Sequence, residues 1–139
     1  NEGCACTMNS ILKQFIKHLT VEENEVVLLD MEAGVEHFGR GVDNSVDLIL
    51  MIVDPSFESL KLTKKIQQLG ESIGKTVFFV LNKVNGQILP TMLESIDDQS
   101  KVLAVISEDT EIARKGLLGN ELMMEIPEIH TLAREILKQ

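Results

Sequence analysis

Glu25-Val26-Val27-Leu28-Leu29-Asp30-Met31-Glu32-Ala33-Gly34 is the stretch on which the fold reading turns. Four consecutive apolar residues, Val26 to Leu29, suit a strand buried on both faces of a parallel sheet. The run stops at a carboxylate, Asp30, and Gly34 follows four residues later. In a doubly wound sheet the carboxyl ends of the strands form the ligand edge. A carboxylate there holds Mg²⁺ directly or through a water. A glycine just beyond it lets a backbone N–H approach an anion, because no Cβ intervenes. A buried strand ending in a turn, with Asp30 as a capping acid, is the competing reading. A lone D-x-x-x-G does not decide between them.

The pattern continues on both sides of this stretch. Upstream, Met8, Ile11, Leu12, Phe15, Ile16 and Leu19 recur at helical spacing behind a capping Thr7. Downstream, Asp47 to Asp54 reads as a second strand, apolar throughout its interior, and Pro55-Ser56 opens a helix. Leu62, Ile66, Leu69 and Ile73 form that helix's inner stripe, and Gly74 stops it. Thr76 to Leu81 is a third apolar strand, ending at Asn82-Lys83. Ile88, Met92, Leu93 and Ile96 mark a short helix, and Val102 to Ile106 a fourth strand, followed by Ser107-Glu108-Asp109. Asp109 caps a helix through Lys115, and Pro127 starts a last helix carrying Ile129, Leu132, Ala133, Ile136 and Leu137 inward. Continuous apolar strands alternating with amphipathic helices predict an α/β fold: a three-layer parallel sheet of about four strands, helices on both faces, one domain over residues 1–139.

Bulk properties narrow the function. At 139 residues the chain is long enough for one real core. Its net charge of −9 and the absence of any Lys or Arg run argue against nucleic acid as a partner. Aromatics make up 4%, with no Trp or Tyr, which leaves no stacking platform for single strands. The longest apolar run, Leu48 to Val53, is far short of a membrane span, and no signal peptide is visible, so a cytoplasmic protein is expected. The chain begins at Asn1 rather than at a methionine, as a processed product or a piece of a longer chain would.

Taken together, the polar strand ends at Asp30, Asp54 and Asn82 and the Ser107 turn carry a family resemblance. Over nearly its whole length the chain resembles the C-terminal part of the MinD/ParA-type deviant P-loop ATPases (the SIMIBI class), which also include the nitrogenase iron protein. Val26-Val-Leu-Leu-Asp-Met-Glu-Ala-Gly34 looks like the Walker B strand and switch II. Val46 to Leu60 looks like the next strand and helix, and Phe78-Phe-Val-Leu-Asn-Lys83 like the base-recognition strand. Glu2-Gly-Cys-Ala-Cys6 and Met31 to Gly41 look most like the carbon monoxide dehydrogenase maturation ATPases, which serve nickel insertion.

The resemblance implies a partial P-loop NTPase fold and roles for matched positions. Asp30 would act on Mg²⁺ through its water shell, and Gly34 would sense the γ-phosphate of ATP with its N–H. Asn82 would hydrogen-bond the adenine edge, with Lys83 packing or pairing nearby. Ser107 lies near the adenine, where the family often has Pro, so the detail of base contact departs from the pattern. A Gly-rich loop with its Lys is absent from the sequence. By the resemblance that loop, the first strand and switch I belong upstream of Asn1. This chain alone is then expected not to hydrolyse ATP.

The only cysteines, Cys4 and Cys6, are one residue apart. Two soft thiolates at that spacing reach one metal ion, Ni²⁺ or Zn²⁺, and form half of a tetrahedral site. A two-fold dimer would supply the other half, and in the maturation ATPases this motif bridges two subunits. An inert pair and a redox pair are the alternatives, although C-x-x-C is the usual redox spacing. The leading expectation is therefore the C-terminal part of a metallochaperone ATPase: a homodimer using ATP/ADP and Mg²⁺, with carbon monoxide dehydrogenase as client. A MinD-type ATPase without metal and a non-enzymatic α/β interaction module are the rivals. Mixed charge on the last helix (Glu128, Arg134, Glu135, Lys138) counts against the membrane-binding tail that a MinD-type protein would carry.

Overall fold

A computed structural model describes residues 14–16, 18–23, 25–31 and 46–139. Strand β1 (Leu48–Val53) leads to helix α1 (Phe57–Ser72), strand β2 (Thr76–Val84), helix α2 (Leu89–Glu94) and a 3₁₀ turn (Gln99–Lys101). Strand β3 (Val102–Ser107) and helices α3 (Thr110–Leu118) and α4 (Pro127–Ile136) complete the order. The three strands form one parallel sheet in the order β1-β2-β3. The architecture is the open parallel α/β sheet flanked by helices that a partial P-loop NTPase fold requires.

Side-chain alternation along β2 divides the core in two. Val77, Phe79 and Leu81 join Val53, Ile66, Met92 and Ile96 on one face. Val80 joins Ala104 and Leu132 on the other, with Ile136 packed beside them. The first face is the larger core and carries α1. The second is covered by α4, which packs on β3.

Helix α1 starts where Ser56 Oγ accepts the Ser59 N–H at 3.2 Å. It ends in paired return bonds, Lys75 N–H to the Gly70 carbonyl at 2.9 Å and Gly74 N–H to the Glu71 carbonyl at 3.1 Å. This closure needs a left-handed residue, and Gly74 supplies it at φ 69°. Its buried stripe is Thr63, Ile66 and Gly70, with Leu62, Leu69 and Ile73 half-buried at the margins. Gly70 belongs there because β2 passes so close that a Cβ would overlap Val77 Cγ2.

Two expectations are corrected. Val26 to Leu29 is not a strand: Val26, Val27 and Leu28 are exposed, Leu28 at 81%. A strand apolar on both faces is stable only beside a paired neighbour and under covering helices. Among the described residues this segment has neither, and the sheet they form has three strands where about four are expected. Second, β1 is not buried on both faces, since Ile52 is half exposed while Val53 is fully buried. Ile52 points to the face on which α4 covers β3 and not β1. Of the first expected helix, residues 14–16 and 18 are helical, with Ile16 buried and Phe15 turned outward.

Candidate functional site

The carboxyl edge of the sheet gathers three polar strand ends. Asp54 follows Val53 at the end of β1, and its N–H donates to Ser59 Oγ at 3.1 Å, which seats the turn on the first turn of α1. Asn82 and Lys83 lie in an irregularity of β2, where the β2–β3 register shifts between Leu81 and Val84. Lys83 has φ 55°, a left-handed conformation that a side chain makes costly. Such bulges re-aim side chains near sites. Here both side chains reach the neighbouring strand end. Asn82 Nδ2 donates to Asp54 Oδ1 at 2.9 Å, and Lys83 Nζ pairs with Asp54 Oδ2 at 2.7 Å.

Asp54 is the hub of this cluster. The Lys83 hydrogen bond holds its carboxyl below the ordinary value of 3.8; partial burial works against that, and the Asn82 bond and the Lys83 charge add to it. Asp54 is therefore an anion at neutral pH and accepts from both partners. The sequence marks Asp54 as a strand end, but the family resemblance singles out other residues and leaves it without a role. The signal that could have placed it in the site is its position after an apolar strand, parallel to that of Asn82 after the next.

Ser107 pairs with Val84 across the β2–β3 ladder, and the Glu108 N–H donates to the Val84 carbonyl at 2.9 Å. It lines a cavity of about 110 Å³ with Asp109, Ile112, Ile126 and Pro127, beside the start of α4. Asp109 caps α3, accepting from the Glu111 and Ile112 N–H groups at 2.7 and 3.1 Å. The structure thus brings Asn82 and Lys83 together around Asp54 and sets Ser107 on the same rim, beyond the next strand. Asp30 does not join them. It is exposed, outside any strand, with no side-chain partner among the described residues. Gly34, Cys4 and Cys6 lie outside the described residues. Among the described residues, no group of three or more His, Cys, Asp or Glu is placed to hold a metal ion, and no helix is long and apolar enough to cross a membrane.

No family model matches the chain. It is 45% identical over 137 residues to the uncharacterized ATP-binding protein MJ0084 of Methanocaldococcus jannaschii, covering 99% of this chain and 55% of that protein. It is 33% identical over 127 residues to a second ATP-binding protein of that organism, MJ0823, covering 89% and 49%. It is also 33% identical over 118 residues to the carbon monoxide dehydrogenase accessory protein CooC of Rhodospirillum rubrum, covering 84% and 45%. The chain spans about half the length of the curated relatives it matches. Over that span it is homologous to these ATP-binding proteins and to CooC, consistent with a deviant P-loop ATPase related to CooC.

Proposed function

We propose that this chain is the base-binding part of a nucleotide-dependent metallochaperone ATPase that serves nickel insertion into carbon monoxide dehydrogenase in the cytoplasm. The observation that carries the reading is the 33% identity to a carbon monoxide dehydrogenase accessory protein across 84% of this chain. The polar rim supports it, because doubly wound sheets bind ligands at the carboxyl ends of their strands.

In this reading Asn82 meets the adenine edge, Lys83 stands beside it, and Ser107 borders the base from β3. Asp30 would hold the water shell of Mg²⁺. The donor chemistry suits that ion, since Mg²⁺ keeps several waters and takes one or two carboxylates plus phosphate oxygens; the Asp30 carboxylate is exposed and stands apart from the rim of Asn82, Lys83 and Ser107. Bound Mg²⁺ would neutralise charge on the phosphates. Gly34 offers its N–H to the γ-phosphate. Cys4 and Cys6 would supply the thiolates for nickel or zinc, and two such pairs would complete a four-sulfur set in a homodimer.

The test uses the full-length protein that carries this chain. Binding of a fluorescent ATP analogue should weaken in Asn82→Ala. Nickel titrated during size-exclusion chromatography should bind at about one ion per two chains and be lost in Cys4→Ser, Cys6→Ser. ATP binding without cysteine-dependent nickel would leave a metal-free ATPase of the MinD type. No nucleotide binding at all would leave an interaction module.

A further inference from the structure

We propose that Asp54 is a positioning residue that sets base specificity: by holding one N–H of the Asn82 amide, it aims the remaining amide edge at adenine and against guanine. The inference rests on the reading of Asn82 as the base-contacting residue and extends it to a residue on a different strand.

Donor and acceptor chemistry fixes which way the Asn82 amide faces. An asparagine amide has a donor end and an acceptor end of nearly the same shape, so packing alone does not choose between its two orientations. Asp54 does choose. An ionised carboxylate only accepts, so the 2.9 Å contact forces the amide to turn Nδ2 toward Asp54. The reverse orientation would set two acceptor oxygens against each other. One N–H is then taken up by Asp54, leaving the carbonyl oxygen and one N–H. That donor–acceptor pair matches adenine, which offers N7 as acceptor and N6–H₂ as donor. Guanine offers two acceptors, N7 and O6, so the carbonyl would face O6.

Three features keep Asp54 at this task. Lys83 Nζ sits 2.7 Å from its other oxygen and favours the charged form. Its backbone N–H is tied to Ser59 Oγ. The left-handed turn at Lys83 lets two consecutive residues of β2 reach the same carboxylate, where regular alternation would send them to opposite faces. The cluster is half exposed, as a ligand-facing device must be: the Asp54 side chain is 42% accessible and that of Lys83 60%.

The experiment compares ATP, GTP and purine riboside triphosphate (which lacks the 6-amino group) as competitors against a fluorescent ATP analogue on the full-length protein. The wild type should prefer ATP to both by roughly ten- to hundredfold, the contribution of one bidentate base contact. Asp54→Asn keeps the side-chain shape, but the Lys83 ammonium retains its oxygen, so the new Nδ2 faces Asn82 and turns that amide over, presenting N–H donors where the carbonyl stood. The preference for ATP over both competitors should then fall about tenfold or more. A merely structural role would weaken all three nucleotides equally and leave the ratios unchanged. Asp54→Ser provides the same comparison should Asp54→Asn fail to fold. A wild type that prefers ATP together with a variant that keeps the full preference overturns the role of Asp54 and leaves the base site standing. A wild type without preference removes the base site itself.

Discussion

Gly70→Ala tests the packing that holds the rim in place. Alanine is the better helix former by about 0.5–1 kcal/mol at an unhindered interior position. Here the new Cβ would overlap Val77 Cγ2 and sit 3.0 Å from the Lys75 carbonyl oxygen. Neither neighbour yields easily. Val77 is 2% exposed, β-branched and paired in register with Ile49, so its rotamer and its backbone are both fixed. Lys75 is tied back to Gly70 through the closing bond of α1. Overpacking of a filled site costs about 1–3 kcal/mol, so the expected net effect is a loss of about 1–2 kcal/mol. Urea unfolding followed by far-UV circular dichroism measures it, since the chain has neither Trp nor Tyr. Gly116→Ala in α3 is the control: among the described residues, nothing beyond its chain neighbours and its own helix backbone lies within 4 Å of its added Cβ, and a gain of about 0.5–1 kcal/mol is expected. Removing the obstacle with Val77→Ala should couple to Gly70→Ala by at least about 1 kcal/mol. If Gly70→Ala stabilises as Gly116→Ala does and adds simply to Val77→Ala, the close approach of α1 to β2 is refuted.

Two further outcomes are expected. Thr63 is buried, with its Oγ1 2.8 Å from both the Leu60 and Ser95 carbonyls. Thr63→Val keeps the shape but removes the donor linking α1 to the end of α2, and should cost about 1–3 kcal/mol in a urea titration; a change within about 0.5 kcal/mol would show that the Ser95 carbonyl does not depend on it. The Asp54 carboxyl lies below 3.8 in the folded protein, so its contribution is fully present above the unfolded value and is lost as pH falls through the folded one. Both side chains of its ion pair are well exposed, which limits the effect to about 1 kcal/mol or less and makes it salt-sensitive. The stability gap between wild type and Asp54→Asn should be flat above about pH 5 and shrink below about pH 4; a gap that widens on acidification would contradict the ion pair.

Local chemistry is legible in the amino-acid sequence alone. The apolar runs at Leu48–Val53, Thr76–Leu81 and Val102–Ile106 announce strands that must be covered, and all three form. Ser56 and Asp109 announce helix starts, because their short oxygens satisfy N–H groups two or three residues ahead. Asn82, Lys83 and Ser107 stand out by one shared local signal, a polar residue where an apolar run stops. What the chain alone does not decide is partnership. An apolar run states that a segment needs burial and does not say against what, so Val26–Leu29 reads like β1 and yet stands outside the sheet. The contact of Asp54 with Asn82, 28 residues apart, exists only because β1 and β2 pair in parallel register. The left-handed turn at Lys83 depends on the shift between β2 and β3, and the need for Gly70 on how closely α1 settles over Val77. Helix caps and periodicity act over a few residues of chain, whereas register, bulge and close approach are set by which backbones meet in space.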